Sequence, residues 1–438
     1  GRRGGIFFAD GSSKSTRQLF RDAACCYTES FETPFSENAN RRIASPLPSI
    51  VREHQYTPPK SGARVGGGVY EDGAFTVDKD EDLRVPFSYV LAGRGFGSVV
   101  TQSTLGYSFC GNAALRRIAA FEGDIYGGTD NGEVVYCLDN GKIYDIAACA
   151  SDVRYQNGVA VYSGSINERA YLLTVFVCEK LPMKVLRFAF DDGGECDVAL
   201  CLRPLMGEGA FPERNMRVAP LNWNDGCALG FRNPKSAFFS HYTGFVAHIG
   251  GGRTYRERTS LLEGEESGIE DIAAVRSAGR EHCFLIGAAP SDTAAISVLS
   301  LFVSRGWHTE YDASIRFAQS LLPPLKLDCG VGCASEMFNI FAPYQVAACR
   351  FFARGGFYQS SGAYGFRDQL QDCLYLVYSV PDIVRVHIIR ASARQYTDGS
   401  VQHWWHPCRS DGKLNGVRTK CSDDYLWLPI SVPEYVGK

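Results

Sequence analysis

Near Asp312 the hydrophobic pattern of the chain changes period, and that change limits what the chain can fold into. Upstream, apolar runs of strand length alternate with turn residues. GVAVYSGS (Gly158 to Ser165) shows a period of two, while YLLTVFV (Tyr171 to Val177), KVLRFAF (Lys184 to Phe190) and CDVALCL (Cys196 to Leu202) are long apolar strands. The clusters GGTDNGE, LDNGK and DDGGE lie between such runs and carry the Asn-Gly and Asp-Gly chemistry that closes hairpins. Many strands at short spacing predict a large antiparallel β-sandwich over residues 63–310. Downstream, Ile315, Phe317, Ala318 and Leu321 recur at helical spacing until Pro323-Pro324. The same spacing joins Phe338, Phe341, Tyr344, Gln345, Ala348 and Phe352, where Pro343 requires a first turn or a kink. Leu370, Leu374 and Val377 predict a further helix, and Val386, Ile389 and Ala393 another. We therefore expect a helical linker over 311–330 and a helical domain over 331–438. Residues 1–62, with the prolines of SPLPS and YTPPKSG and no sustained periodicity, read as a linker or the tail of an upstream module.

A chain of 438 residues can bury two sizeable cores. Its formal net charge of -3, without a basic block, offers no long-range attraction to nucleic acid or to an anionic membrane. No apolar run approaches the ~20 residues that cross a bilayer as a helix. The 16 cysteines are scattered from Cys25 to Cys421 and form no C-x-x-C pair, so they read as buried thiols in a reducing cytosol. A cytoplasmic location, no metal and no organic cofactor are the expectations.

The functional signal lies in the helical third. FYQSSGAYGFRDQLQD (Phe357 to Asp372) sets Tyr358, Gln359 and Tyr364 around Arg367-Asp368, with Gln371 following. A carboxylate accepts from vicinal hydroxyls, a guanidinium donates in a planar fork, and aromatic rings cover the apolar face of a pyranose. QHWWHP (Gln402 to Pro407) adds His403, Trp404, Trp405 and His406, and GVRTKCSDDYLWLP (Gly416 to Pro429) adds Arg418, Asp423 and Asp424. Sugar contacts from Tyr358, Gln359, Arg367, Asp368, Gln371, His403, Trp404, His406, Arg418 and Asp424 are the reading of these clusters. His403 and His406 supply only two metal donors, and no third is evident. Asp423 and Asp424, with Asp368, are also the carboxylates an inverting glycosidase would need.

The order of the clusters resembles glycoside hydrolase family 94, the inverting sugar phosphorylases that include cellobiose phosphorylase. The likeness is greatest to the subgroup with the phosphorylase-like module of cyclic β-1,2-glucan synthases. CRFFARGGFYQSSGAYGFRDQLQD (Cys349 to Asp372) is similar to the entry of that family's catalytic domain. PFSYVLAGRGFGSVVTQSTLGYSFCGNAALRRI (Pro86 to Ile118) is similar to its β-domain, with the recurring pattern N-x-FG-x-x-T/S, G-Y-T-W and N-S-R. The resemblance implies a β-sandwich followed by a partial α/α toroid, the six-hairpin barrel whose helix ends and loops build the sugar pocket. It also implies that Arg367 and Asp368 hold the transferred glycosyl residue, and that the co-substrate is inorganic phosphate. The proton donor implied by the family is the last aspartate of a D-W-N-D segment that follows SDD-x-LWLP, hence after Lys438. Asp423 and Asp424 then contact substrate or order a loop, and remain the fallback acid. Some members carry an arginine shortly before the Arg-Asp pair that helps hold phosphate, whereas Ser360-Ser361-Gly362 stands here.

Expected partners are a β-glucan oligosaccharide or glucose disaccharide and inorganic phosphate. A hydrolase using Asp368 with Asp423 or Asp424, and a non-catalytic carbohydrate-binding module, are the alternatives. Exposure of the apolar face of Leu370, Leu374 and Val377 would allow a homodimer. NWNDG (Asn222 to Gly226) mimics the acid segment but precedes the Arg-Asp motif among predicted strands, so it reads as a turn. Gly250-Gly251-Gly252-Arg253 lacks the strand-before, helix-after context and Lys-Ser/Thr ending of a phosphate loop.

Overall fold

Asn140-Gly141, Asn157-Gly158 and Asp72-Gly73 each place two successive residues at positive φ, the backbone that a two-residue hairpin turn demands. With such turns the first part of the chain folds back on itself repeatedly. The computed structural model describes residues 49–55, 63–79, 85–123, 132–209, 216–265, 268, 270–406 and 415–438. The chain divides into two compact units, Gly1–Leu47 and Pro48–Lys438, and the described residues all fall in the second. The linker expected over 1–62 lies outside the described residues except for 49–55. There Ile50–Val51 is not linker but a strand, paired in parallel with Ile143 and Tyr144.

Three sheets of eleven, six and five strands form the sandwich, and every other strand pair among the described residues is antiparallel. The strand Arg169–Val177 lies near the middle of the largest sheet and shows how its two faces are used. Leu173, Val175 and Val177 enter the core between the sheets, whereas Phe176 enters a second core on the opposite face. That second face is covered by two helices, α1 (Asp292–Arg305) and α2 (Trp307–Gln319); Phe176 meets Tyr311 of α2 edge-on at 5.4 Å. NWNDG is the turn between the strands Arg217–Pro220 and Gly226–Arg232, and the three glycines after Ile249 form the turn to Arg253–Tyr255.

The helical part begins at Asp292, earlier than the expected change at 310. Ser291 caps α1 by accepting from the Ala294 amide at 3.1 Å, and Gly306 ends it at φ 78°. The helix buries Ala295, Leu299 and Phe302, but its dense Ile, Val and Leu content imitates a strand run in the sequence. Next, residues 332–352 run as one helical path with π-helical stretches at Met337–Phe341 and Ala347–Phe352. Pro343 follows the first of these, where the wider turn tolerates a residue without an N–H. Tyr344 on this path stacks on Tyr89 at 5.3 Å and donates to the Val90 carbonyl at 2.9 Å, locking helices to sandwich.

Among the described residues three further helices follow: α3 (Phe366–Leu376), α4 (Pro381–Ser392) and α5 (Asp424–Val436). Two expectations about their faces are corrected. Leu370 and Val377 are buried in the common core rather than exposed, and Tyr375 and Tyr378 take the outer side. On α4 the buried stripe is Val384, His387, Ile388 and Ala391, while Val386 and Ile389 face outward. Two apolar stripes share that helix, and packing selects the one next to α3. QHWWHP is also not a helix end or loop: Gln402–His406 is the central strand of a three-stranded sheet with Tyr364–Gly365 and Asn415–Arg418. Among the described residues no helix is long and apolar enough to cross a membrane, which says nothing of a β-barrel.

Candidate carbohydrate site

The loop between Phe352 and α3 is shaped by a buried guanidinium. Arg354 sits at φ 51° and donates to the carbonyls of Gly362 (3.0 Å) and Phe351 (3.2 Å), to the Tyr364 hydroxyl (3.1 Å) and to the carbonyl of Gly111 in the sandwich. Burial lowers its pKa from the usual arginine value. Gly365 then opens α3. Its amide donates to Gln369 Oε1 at 2.7 Å, a reach-back that satisfies a free helix N–H where the cap residue has no side chain. A Cβ on Gly365 would strike the Asp368 carboxylate, so the absence of a side chain there lets Asp368 fold toward the helix N-terminus.

Beside this loop lies a cavity of about 720 Å³, within the range that holds a small ligand. Tyr358, Gln359, Asp368, His403, Trp404 and His406 all line it, together with Arg350. A strand normally sends alternate residues to opposite faces. The pairing of Gln402 with Arg418 and then of Trp404 with Val417 leaves His403 as an extra residue, a bulge that brings His403 and Trp404 to the same cavity. Trp405 falls on the other face, buried and stacked on Tyr364 at 5.7 Å. The two tryptophans therefore have separate tasks, and only Trp404 can cover a sugar.

Arg350 reaches the Asp372 carboxylate at 2.6 Å and that of Asp368 at 3.7 Å. Burial raises the pKa of Asp372, with Arg350 opposing it. His403 Nδ1 is 2.7 Å from Asp424 Oδ2, and Asp424 is fully buried behind the ring. Cys421 joins them: donor atoms of His403, Cys421 and Asp424 lie within 4.8 Å of one another, a set that the sequence reading did not foresee and that leaves out His406. The direct His403–Asp424 contact is shorter than two ligands around one ion would stand, and it engages the donors with each other.

Other expected residues lie elsewhere. Arg367 bonds Asp423 at 2.7 Å and faces the Trp427 ring at 5.9 Å. Gln371 is exposed on α3. Arg418 pairs with Asp398 and Ser400 and covers the Tyr396 ring at 4.1 Å. None of these three, nor Asp423 or Asp424, is among the lining residues, and Asp368 is the one carboxylate that is, among the described residues. Arg350, Arg354 and Cys421 went unseen in the sequence, because nothing in their spacing says that they meet.

Residues 72–205 match the glycosyl hydrolase 94 supersandwich domain, and residues 326–438 match the catalytic domain of the glycosyl hydrolase 94 superfamily. The chain belongs to glycoside hydrolase family 94. That family is one of carbohydrate-active enzymes, and a phosphorylase is among the chain's relatives. The cyclic beta-(1,2)-glucan synthase NdvB of Rhizobium meliloti (strain 1021) is 37% identical over 165 residues, 38% of this chain and 6% of that protein. The N,N'-diacetylchitobiose phosphorylase of Vibrio proteolyticus is 27% identical over 124 residues, 23% of this chain and 16% of that protein. The match thus spans a small part of either relative. Among solved structures, a bacterial glucoamylase complexed with acarbose superposes with a TM-score of 0.49 at 8% identity, over 82% of this chain and 55% of its own.

Proposed function

We propose that this chain builds the glucosyl-holding part of an inverting β-glucoside or β-glucan phosphorylase, on a helical domain that forms part of an α/α toroid. The observation that carries the reading is the cavity with Asp368, Trp404, His403 and His406 on its walls. Asp368 would accept from vicinal hydroxyls of the transferred glucosyl residue, Trp404 would cover its apolar face, and the two imidazoles would bond its oxygens. In phosphorolysis an acid protonates the glycosidic oxygen while phosphate attacks the anomeric carbon from the opposite face. Phosphate needs no general base, and no metal enters this scheme. One cavity carboxylate suits that demand better than the hydrolase alternative. Asp424 is buried behind His403 and Asp423 is paired with Arg367, so neither stands ready as a second catalytic carboxylate. In this reading the proton donor belongs to a segment other than those described.

Competition binding tests the proposal without requiring turnover. The 438-residue chain is titrated with a β-1,2-linked glucose disaccharide and with α-D-glucose 1-phosphate, the product an inverting attack would form, while tryptophan fluorescence is followed. Both should bind, each should displace the other, and Asp368→Asn should weaken both. Disaccharide binding that glucose 1-phosphate does not disturb would instead identify a carbohydrate-binding module. Glucose release without phosphate would identify a hydrolase.

A further inference from the structure

We propose that Asn112, a sandwich residue, is a positioning residue of the carbohydrate cavity that holds His406 as its Nε2–H tautomer, so that this ring offers a hydrogen-bond donor to a sugar oxygen. The sugar in that statement rests on the function proposed above; the tautomer does not. Asn112 is buried in the turn between the strands Tyr107–Cys110 and Arg117–Ala119. Its Oδ1 accepts from the amides of Ala114 (2.9 Å) and Leu115 (2.8 Å). Backbone N–H groups can only donate, so the orientation of the side-chain amide is fixed. The two hydrogens on Nδ2 then point at Gly362 O (3.0 Å) and His406 Nδ1 (3.4 Å).

A ring nitrogen that faces a donor must present a lone pair, and a neutral imidazole with a bare Nδ1 carries its proton on Nε2. The Gly362 carbonyl lies close enough to attract a proton on the ring, but its two lone pairs are already taken by Asn112 Nδ2 and Arg354 Nε, each at 3.0 Å. Charge acts in the same direction. Burial first, and then the Arg354 guanidinium, lower the pKa of His406, against smaller opposing pulls from the Gly362 backbone and Glu208. The loop is also shaped to Asn112. Gly362 sits at φ 65°, and a Cβ there would run into the Asn112 amide. Arg354 donates to Gly111, the neighbour of Asn112, so the turn and the loop are joined by two adjacent residues. A residue of the supersandwich domain thereby sets the donor pattern of a cavity in the catalytic domain.

Nitrogen-15 labelling of histidine alone, with long-range proton–nitrogen correlation on the 438-residue chain, reads the tautomer of each ring. The His406 signals are those missing from His406→Gln. In the wild-type protein at pH 7 without sugar, Nδ1 should be unprotonated and Nε2 protonated; a protonated Nδ1 or an imidazolium overturns the proposal. Asn112→Asp replaces the donor with an acceptor and should move the proton to Nδ1 or charge the ring; an unchanged His406 signature also overturns it. If that variant does not fold, the wild-type spectrum alone decides. Adding the β-1,2-linked glucose disaccharide should shift the Nε2 resonance, and Asn112→Asp should weaken binding about tenfold or more, the worth of one well-placed hydrogen bond. Binding without movement of that resonance rejects the donor role. The expected tautomer in a wild-type protein that binds no sugar would instead count against the carbohydrate reading and leave the positioning of His406 standing.

Discussion

Adjacent residues in the chain perform unlike tasks, and the two tryptophans make the point testable. Trp404 lines the cavity, and Trp405 is buried against Tyr364. Trp405→Ala should destabilise the fold by about 3–5 kcal/mol, the cost of emptying a large aromatic site. Trp404→Ala should leave the thermal midpoint near that of the wild type and reduce sugar affinity; thermal melts and titrations of the two variants check this. The sequence reading assigned the sugar contact to Trp404 without a physical ground for setting it apart from Trp405, since alternation in a short strand interrupted by a bulge cannot be counted from spacing alone. It was sharper for Asp368, which the sequence set beside Arg367 and Tyr364 and which lies on the cavity wall. It could not tell that Arg367 would turn toward Asp423 while the distant Arg350 reached Asp368, because long side chains choose partners in space.

At the scale of elements, the sheets are tied by a buried charge pair. Lys184, on a strand of the eleven-stranded sheet, bonds Glu133 Oε2 at 2.8 Å and the Leu105 carbonyl at 2.7 Å. Glu133, on the six-stranded sheet, also accepts from the Ser108 amide at 2.7 Å in the five-stranded sheet. Both charges are fully buried and burial lowers the pKa of Lys184, so the pair is held by mutual satisfaction. Glu133→Ala should cost about 3–5 kcal/mol by stranding the ammonium, and Glu133→Leu with Lys184→Met should recover much of it. Chemical denaturation of the single and double variants measures both. A second element-level effect is acid lability. His248 donates from Nδ1 to the Gly251 carbonyl at 2.7 Å and meets His282 at 3.3 Å, and burial lowers its pKa from 6.5 to about 4. His387 on α4, wedged between Phe351 and Tyr364, is lowered to about 3 by burial and then by Arg390 and Arg354. Both rings stay neutral in the fold while the unfolded chain takes up protons below about pH 6.5. Their contribution to stability is therefore complete above that pH and is lost progressively down to about pH 3–4. Stability measured against pH should fall over that window, and His248→Gln should flatten its upper part.

For the molecule as a whole, the strand-to-helix change was legible because turn chemistry and period are local properties. The point where it occurs was misplaced, because α1 is apolar enough to imitate a strand until its Ser291 cap and Gly306 stop are weighed. The joint between sandwich and helices was not legible at all: Tyr344 with Tyr89 and Arg354 with Gly111 are contacts between residues far apart in the chain. That joint places the cavity loop, so the sandwich supports the site although none of its described residues lines the cavity. Phosphorolysis should not occur at an ordinary enzymatic rate with the 438-residue chain, because Asp368, the cavity's one carboxylate among the described residues, is engaged with the sugar hydroxyls in this account and leaves no second carboxyl as the acid, and general acid assistance is worth about 10²–10⁴-fold. Release of a sugar 1-phosphate from a β-glucan oligomer, assayed with phosphate present, checks this and would return the acid role to Asp423 or Asp424. The cavity around Asp368 should hold a sugar, and calorimetric titration with a β-1,2-linked glucose disaccharide, wild type against Asp368→Asn, decides whether it does. We predict saturable binding that the variant weakens by about 2 kcal/mol, roughly thirtyfold, with an unchanged thermal midpoint. Equal binding by the two proteins, or none by the wild type, would contradict it.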